Sequence, residues 1–220
     1  MASPLASALN FIRHHQDGEI AEKIRNSGLK YNMNYGVSSL LLSNYAKGIG
    51  RNQELADALW KENFREAKLM TFMLADYQTI SDETIQTYVS NCENNEMVEI
   101  AVIHLFSLLS NALPNAKKWI SDSQRYVKMA GYLTIARLAM KQSFGTERDL
   151  QEIFPLYEHD VISTDFFVYQ SVQKAFQELA FRRQDLKPLI IEKTKYICEQ
   201  NKGTNFELQT KEMCQILEYC

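Results

Sequence analysis

The sequence predicts an all-α protein whose helices pair and stack into one continuous solenoid. Three observations predict it. Glycine and proline number only 8 and 4 in 220 residues, too few for the many turns of a β architecture. Apolar residues recur at helical spacing along almost the whole chain. The segments between helical stretches are short, so neighbouring helices run antiparallel and present apolar faces for the next pair to cover. Hydrophobic residues make up 45% and charged residues 23%, the composition of an ordinary folded domain with a sizeable core.

The elements follow in order. Helices are expected over 4–14, 18–27, 37–48, 52–61 and 64–75. In the last of these Phe64, Ala67, Met70 and Leu74 share one face. Neither glycine nor proline occurs from Arg51 to Leu113; one helix of that length is implausible, so polar clusters must break it. Ser81, ahead of Asp82 and Glu83, opens a helix over 82–91. A helix over 96–110 follows, containing the most apolar window, Met97 to Leu109. Glu99, His104 and Ser107 interrupt that window, which is too short to span a bilayer. Pro114 marks the start of 114–120, and Ser121-x-x-Gln124 reads as a capping box for 124–141, whose middle, Met129 to Ile135, is nearly apolar. Thr146-x-x-Asp149 opens 147–155, which Pro155 closes. Helices over 163–181, 186–200 (Pro188 near its start) and 206–217 (after Thr204-x-x-Glu207) complete the chain. No linker divides it, so residues 1–220 read as a single HEAT-like repeat domain. No strict sequence period is present, and an irregular helical bundle is the alternative.

Net charge is −3, which counts modestly against a dedicated nucleic-acid binder. The average hides an asymmetry. Residues 81–110 carry five acids and no lysine or arginine, whereas 111–150 carry seven bases against three acids, a net of +4. A local basic face is therefore available. Met1 to Arg13 lacks the basic start and apolar run of a signal peptide. Cys92, Cys198, Cys214 and Cys220 have no C-x-x-C spacing and read as free thiols rather than as disulfides or zinc ligands. A cytoplasmic protein is expected. No phosphate loop, nucleophile elbow or metal-binding histidine pair is present, so neither cofactor nor metal is expected.

Several short stretches resemble one known family. They are Tyr35-Gly36-Val37-Ser38, Ala46-Lys47-Gly48-Ile49-Gly50, Glu54-Leu55-Ala56-x-x-Leu59-Trp60, Phe64-Arg65-Glu66-Ala67-Lys68-Leu69 and Met73-Leu74-Ala75-Asp76. Tyr126-Val127-Lys128-Met129-Ala130-Gly131-Tyr132 and Asp165-Phe166-Phe167-Val168 continue the likeness, which spans most of 35–180. Together they are similar to the AlkD-like DNA alkylation repair proteins. The resemblance implies a superhelical stack of HEAT-like helix pairs with a concave face that binds double-stranded DNA. It also implies hydrolysis of the N-glycosidic bond of cationic alkylated purines. A cationic base leaves with little acid assistance, so one carboxylate in a shaped electrostatic site can suffice.

Set against the family pattern, Glu99 falls where the catalytic aspartate belongs, one methylene longer. Asn95 stands where an aromatic is expected, Met129 in place of an arginine, and Lys174 in place of a tryptophan. Glu99, with Glu96 one turn before it, reads either as a site carboxylate with a neighbour that tunes it, or as first-turn acids that complement the helix dipole under an Asn95 cap. Arg125, Lys128 and Lys174 read either as DNA phosphate contacts or as solvated cations. Lys117-Lys118 and Arg182-Arg183 carry the same ambiguity. His104 reads as a packed polar residue, and Trp60 and Trp119 as packing residues. The rival from another class is a non-catalytic HEAT-like scaffold that binds a protein partner.

Overall fold

The computed structural model describes residues 3–220, and every regular element among them is helical. In order these are α1 (Pro4–His14), α2 (Gly18–Asn26), α3 (Ser39–Ile49), α4 (Gln53–Trp60), α5 (Arg65–Leu74), α6 (Asp82–Ser90) and α7 (Asn95–His104). A short 3-10 turn, Phe106–Leu108, follows. Then come α8 (Ala112–Ile120), α9 (Arg125–Met140), α10 (Glu147–Asp160), α11 (Phe166–Arg182), α12 (Lys187–Gln200) and α13 (Glu207–Tyr219). None is long and apolar enough to cross a membrane.

Most helices start and stop where the sequence places them, and the exceptions have physical causes. Ser81 caps α6 by accepting from the Thr84 N–H at 3.1 Å. The capping residue of α7 is Asn94 rather than Asn95, accepting from Met97 N–H at 3.0 Å. Continuation of α7 to residue 110 does not occur. The backbone turns at Leu105, so that Leu105 and Phe106 both reach full burial. Nor does Ser121 form a capping box; it closes α8, its hydroxyl donating back to the Lys117 carbonyl at 3.2 Å. Pro155 does not end α10, which continues to Asp160. The missing N–H would orphan the Gln151 carbonyl, but Pro155 and Gln151 are both exposed, so water can take its place.

The chain contacts fall into two compact units, one ending at Ser110 and the other beginning at Asn111. In the first, α5 is the central helix, packed by α3, α4 and α7. Every α5 residue except Lys68 is buried. Such a helix cannot carry Arg65 and Glu66 without partners, and they have them: each other, at 3.1 Å, and the loop before α3. Glu66 accepts the N–H groups of Tyr35 (3.0 Å) and Val37 (3.2 Å), and Arg65 Nη1 donates to the Val37 carbonyl at 2.8 Å. At the other end of α5, Arg51 Nη1 donates to the carbonyls of Met73, Ala75 and His104 at 3.0–3.1 Å, tying together the last turns of α5 and α7. Gly36 adopts φ +74, and a Cβ there would lie 2.0 Å from the Asp17 carbonyl oxygen.

In the second unit α9 packs against α8 and α11, and α11 in turn meets α10, α12 and α13. Gly131 lets α9 approach α8: a Cβ would meet the Ile120 side chain at 2.6 Å and the Ala116 carbonyl at 2.8 Å. The core stacks Tyr157 on Phe176 at 3.7 Å, and the Tyr157 hydroxyl pairs with Thr194 at 2.7 Å.

Candidate functional site

In the first unit the candidate carboxylate is carried on the opening turns of α7. Asn94 fixes the start twice, by its cap and by donating its side-chain amide to the Lys30 carbonyl at 3.1 Å. Glu96 is held hard. Arg65 reaches it through Nε at 2.8 Å and Nη2 at 2.5 Å, a two-pronged grip, and the Tyr31 hydroxyl donates to it at 2.7 Å. Burial, and then the charge of Glu96, push the Tyr31 hydroxyl far above the ordinary phenol range.

Glu99 differs from its neighbour. It is exposed, and no hydrogen bond or ion pair holds its carboxylate among the described residues. The protein packed around it, and secondarily the charge of Glu96, hold its carboxyl above the ordinary glutamate value. Ile103, 41% exposed, continues its face by one turn. That face stops there, because Ser107 belongs to the 3-10 turn and is buried.

Beside the first turn of α7 lies a small cleft lined by Tyr31, Trp60, Asn63, Lys68, Glu93 and Met97 among others. Lys68 donates to the Trp60 carbonyl and sits 4.2 Å from the centre of the Trp60 indole. Burial pushes its ammonium below the ordinary lysine range. Glu99 is not part of this lining.

In the second unit each expected phosphate contact already has a partner. Arg125 pairs with Asp165, the residue that also caps α11 by accepting from the Phe167 and Val168 N–H groups. Lys128 Nζ lies 2.7 and 2.9 Å from the two oxygens of Asp160, a carboxylate 1% exposed that also accepts from the Tyr132 hydroxyl at 2.9 Å. Lys174 pairs with Glu178 at 2.7 Å, one turn along its own helix. Arg125 and Lys128 therefore meet the two ends of the α10–α11 connection, whereas Lys174 sits about 12 Å further along α11 by helical rise.

Met129, which the resemblance sets in place of an arginine, is 5% exposed and belongs to the core. The remaining basic pairs are engaged as well: Lys117 with Asp149 and Glu152, Arg182 with Glu178, and Arg183 with Asp185 and the Phe144 and Gly145 carbonyls. Trp119 is buried, and Trp60 packs on Tyr88 at 4.6 Å. No cluster of three or more potential metal-binding side chains occurs among the described residues.

Sequence reasoning missed the carboxylates opposite the cations, Asp160 and Asp165, and the Arg65–Glu96 grip. Adjacent opposite charges inside the apolar stretch Phe64 to Leu74 were the available signal for the second. For Asp165 the signal was its place directly before a helix.

An all-helical chain of packed helix pairs, with its candidate residues on α7, α9 and α11, defines a HEAT-like helical protein. In fold it is similar to a solved structure described as a new family of proteins related to the HEAT-like repeat DNA glycosylases with affinity for branched DNA structures. The TM-score is 0.78 at 17% identity, over 89% of this chain and 83% of that one. The sequence profile of the DNA alkylation repair enzyme family matches residues 9–204, and the chain belongs to that family. No curated protein sequence matches it.

Proposed function

We propose that this protein binds duplex DNA and hydrolyses the N-glycosidic bond of cationic alkylated purines, with Glu99 as the carboxylate that serves the reaction. One observation carries the reading. The Glu99 carboxylate is exposed and unspent while Glu96, a turn away, is fully engaged, and the resemblance sets Glu99 at the family's aspartate. In this chemistry the base departs with the bonding electrons and becomes neutral. Positive charge then grows on the sugar, where an ionised carboxylate stabilises it or orients the incoming water. Arg125, Lys128 and Lys174 are proposed to hold phosphates.

The deciding experiment measures release of 7-methylguanine from alkylated duplex DNA by the protein and by Glu99→Gln. Release by the first and its loss in the second is the expected result. Undiminished release by Glu99→Gln would remove Glu99 from the role. No release at stoichiometric protein would end the glycosylase reading for that lesion.

A second reading, a non-catalytic scaffold for a protein partner, is favoured by the ion pairs that occupy Arg125, Lys128 and Lys174. Fluorescence anisotropy with duplex and branched DNA separates the two. Salt-sensitive binding to either supports a DNA-binding protein, and branched probes test whether the preference named for the structural relative extends here. Binding to neither favours the scaffold.

A further inference from the structure

We propose that Cys198 and Cys214 form an oxidisable dithiol, which peroxide closes to a disulfide stapling α12 to α13. The geometry is set by helical spacing. Cys198 lies three residues beyond Lys195 on α12, and Cys214 four residues before Glu218 on α13, so each thiol shares a face with one charged residue. Lys195 and Glu218 meet at 2.9 Å, which turns those two faces toward each other along the α12–α13 contact. The same packing sets Cys198 facing Cys214, and burial, and then the proximity of Cys198, push the Cys214 thiol up. Lys211, one turn before Cys214 and paired with Glu207 at 2.6 Å, lies within electrostatic reach of Cys198. Cys198 and Cys214 are half-exposed, whereas Cys92 is buried, so a small oxidant reaches the pair without unfolding the chain.

The chemistry closes without further reagents. Burial pushes the Cys214 thiol up to about 11, which leaves the first attack to Cys198. Its thiolate takes one peroxide oxygen: an S–O bond forms, the O–O bond breaks, and hydroxide leaves to become water. The Cys214 sulfur, giving up its proton, then attacks the Cys198 sulfenic sulfur. The S–S bond forms, the S–O bond breaks, and a second water departs. Two thiols are oxidised and one peroxide is reduced to two waters. None of this depends on the DNA reading.

The test uses the full reduced chain, treated with hydrogen peroxide, blocked with N-ethylmaleimide and mapped by peptide mass. The Cys198 and Cys214 peptides are expected joined and unalkylated, and dithiothreitol should separate them. Melting temperature should rise on oxidation and fall back on reduction, because the link restricts the unfolded chain. Cys214→Ser should abolish the link and leave Cys198 as a sulfenic acid that dimedone traps; Cys220→Ser should leave the link intact. Free alkylation of both thiols after peroxide would overturn the proposal. So would a link to Cys220, or to a second chain, forming first.

Discussion

Glu99, the carboxylate proposed to serve the reaction, is costly to the fold when ionised. Its carboxyl holds a proton more tightly in the folded protein than in the unfolded chain, so ionisation costs stability. The contribution favours the fold below the ordinary value of 4.5 and is lost as pH rises through the raised one. Glu99→Gln should therefore melt no lower than the parent at pH 7, and slightly higher, in a thermal scan. The same exchange should slow excision by about 10²–10³-fold. Excision by the parent should fall as pH drops through a value above 4.5, the sign set by the need for the ionised form. The cations are a separate matter, because each must leave a carboxylate to meet a phosphate. Arg125→Gln with Lys174→Gln should weaken DNA binding and reduce the slope of log affinity against log salt by about 2. Lys128 is a poorer probe, since a charge reversal would set a second carboxylate against the buried Asp160. Glu99 is a candidate on the resemblance alone, and of Arg125 and Lys128 only the positive charge was legible. Their partners were not, because Asp160 and Asp165 lie 32 and 40 residues away in sequence.

Among the helices, α5 and α10 rest on interactions that can be removed one at a time. Arg65→Met would leave Glu66 and the partly buried Glu96 without their cation, and should cost about 3–5 kcal/mol in urea unfolding. Asp149 anchors the start of α10, accepting the Thr146 N–H at 2.7 Å and pairing with Lys117. The Lys117 hydrogen bond, then the Thr146 N–H, hold its carboxyl down at about 2. A depressed carboxylate stabilises the fold above its ordinary value of 3.8 and loses that effect as pH falls through about 2. Asp149→Asn should therefore cost about 1–2 kcal/mol near neutrality, and the difference from the parent should vanish in melts taken toward pH 2. Periodicity and caps made most elements legible. They failed at Leu105, where the core demanded two consecutive buried side chains, and at Pro155, where solvent stood in for a lost hydrogen bond.

Over the whole chain, the sequence-based reading of one domain is a proposal that its two tryptophans can test. Trp60 belongs to the unit ending at Ser110 and Trp119 to the unit beginning at Asn111. Variants keeping one tryptophan at a time should show coincident fluorescence transitions in urea if the chain unfolds as a single domain, and separate midpoints would refute it. Composition and helical spacing made the all-α class legible at this scale. The ion pairs that occupy the basic residues were hidden, because net charge counts groups without regard to which ones meet. The Glu66 carboxylate has a further consequence for motion. It receives the Tyr35 and Val37 amides of a stretch that belongs to no helix. In deuterated water those two protons should be exchanged as slowly as the amides of α5, so a segment drawn as a loop would report the opening of the core beneath it.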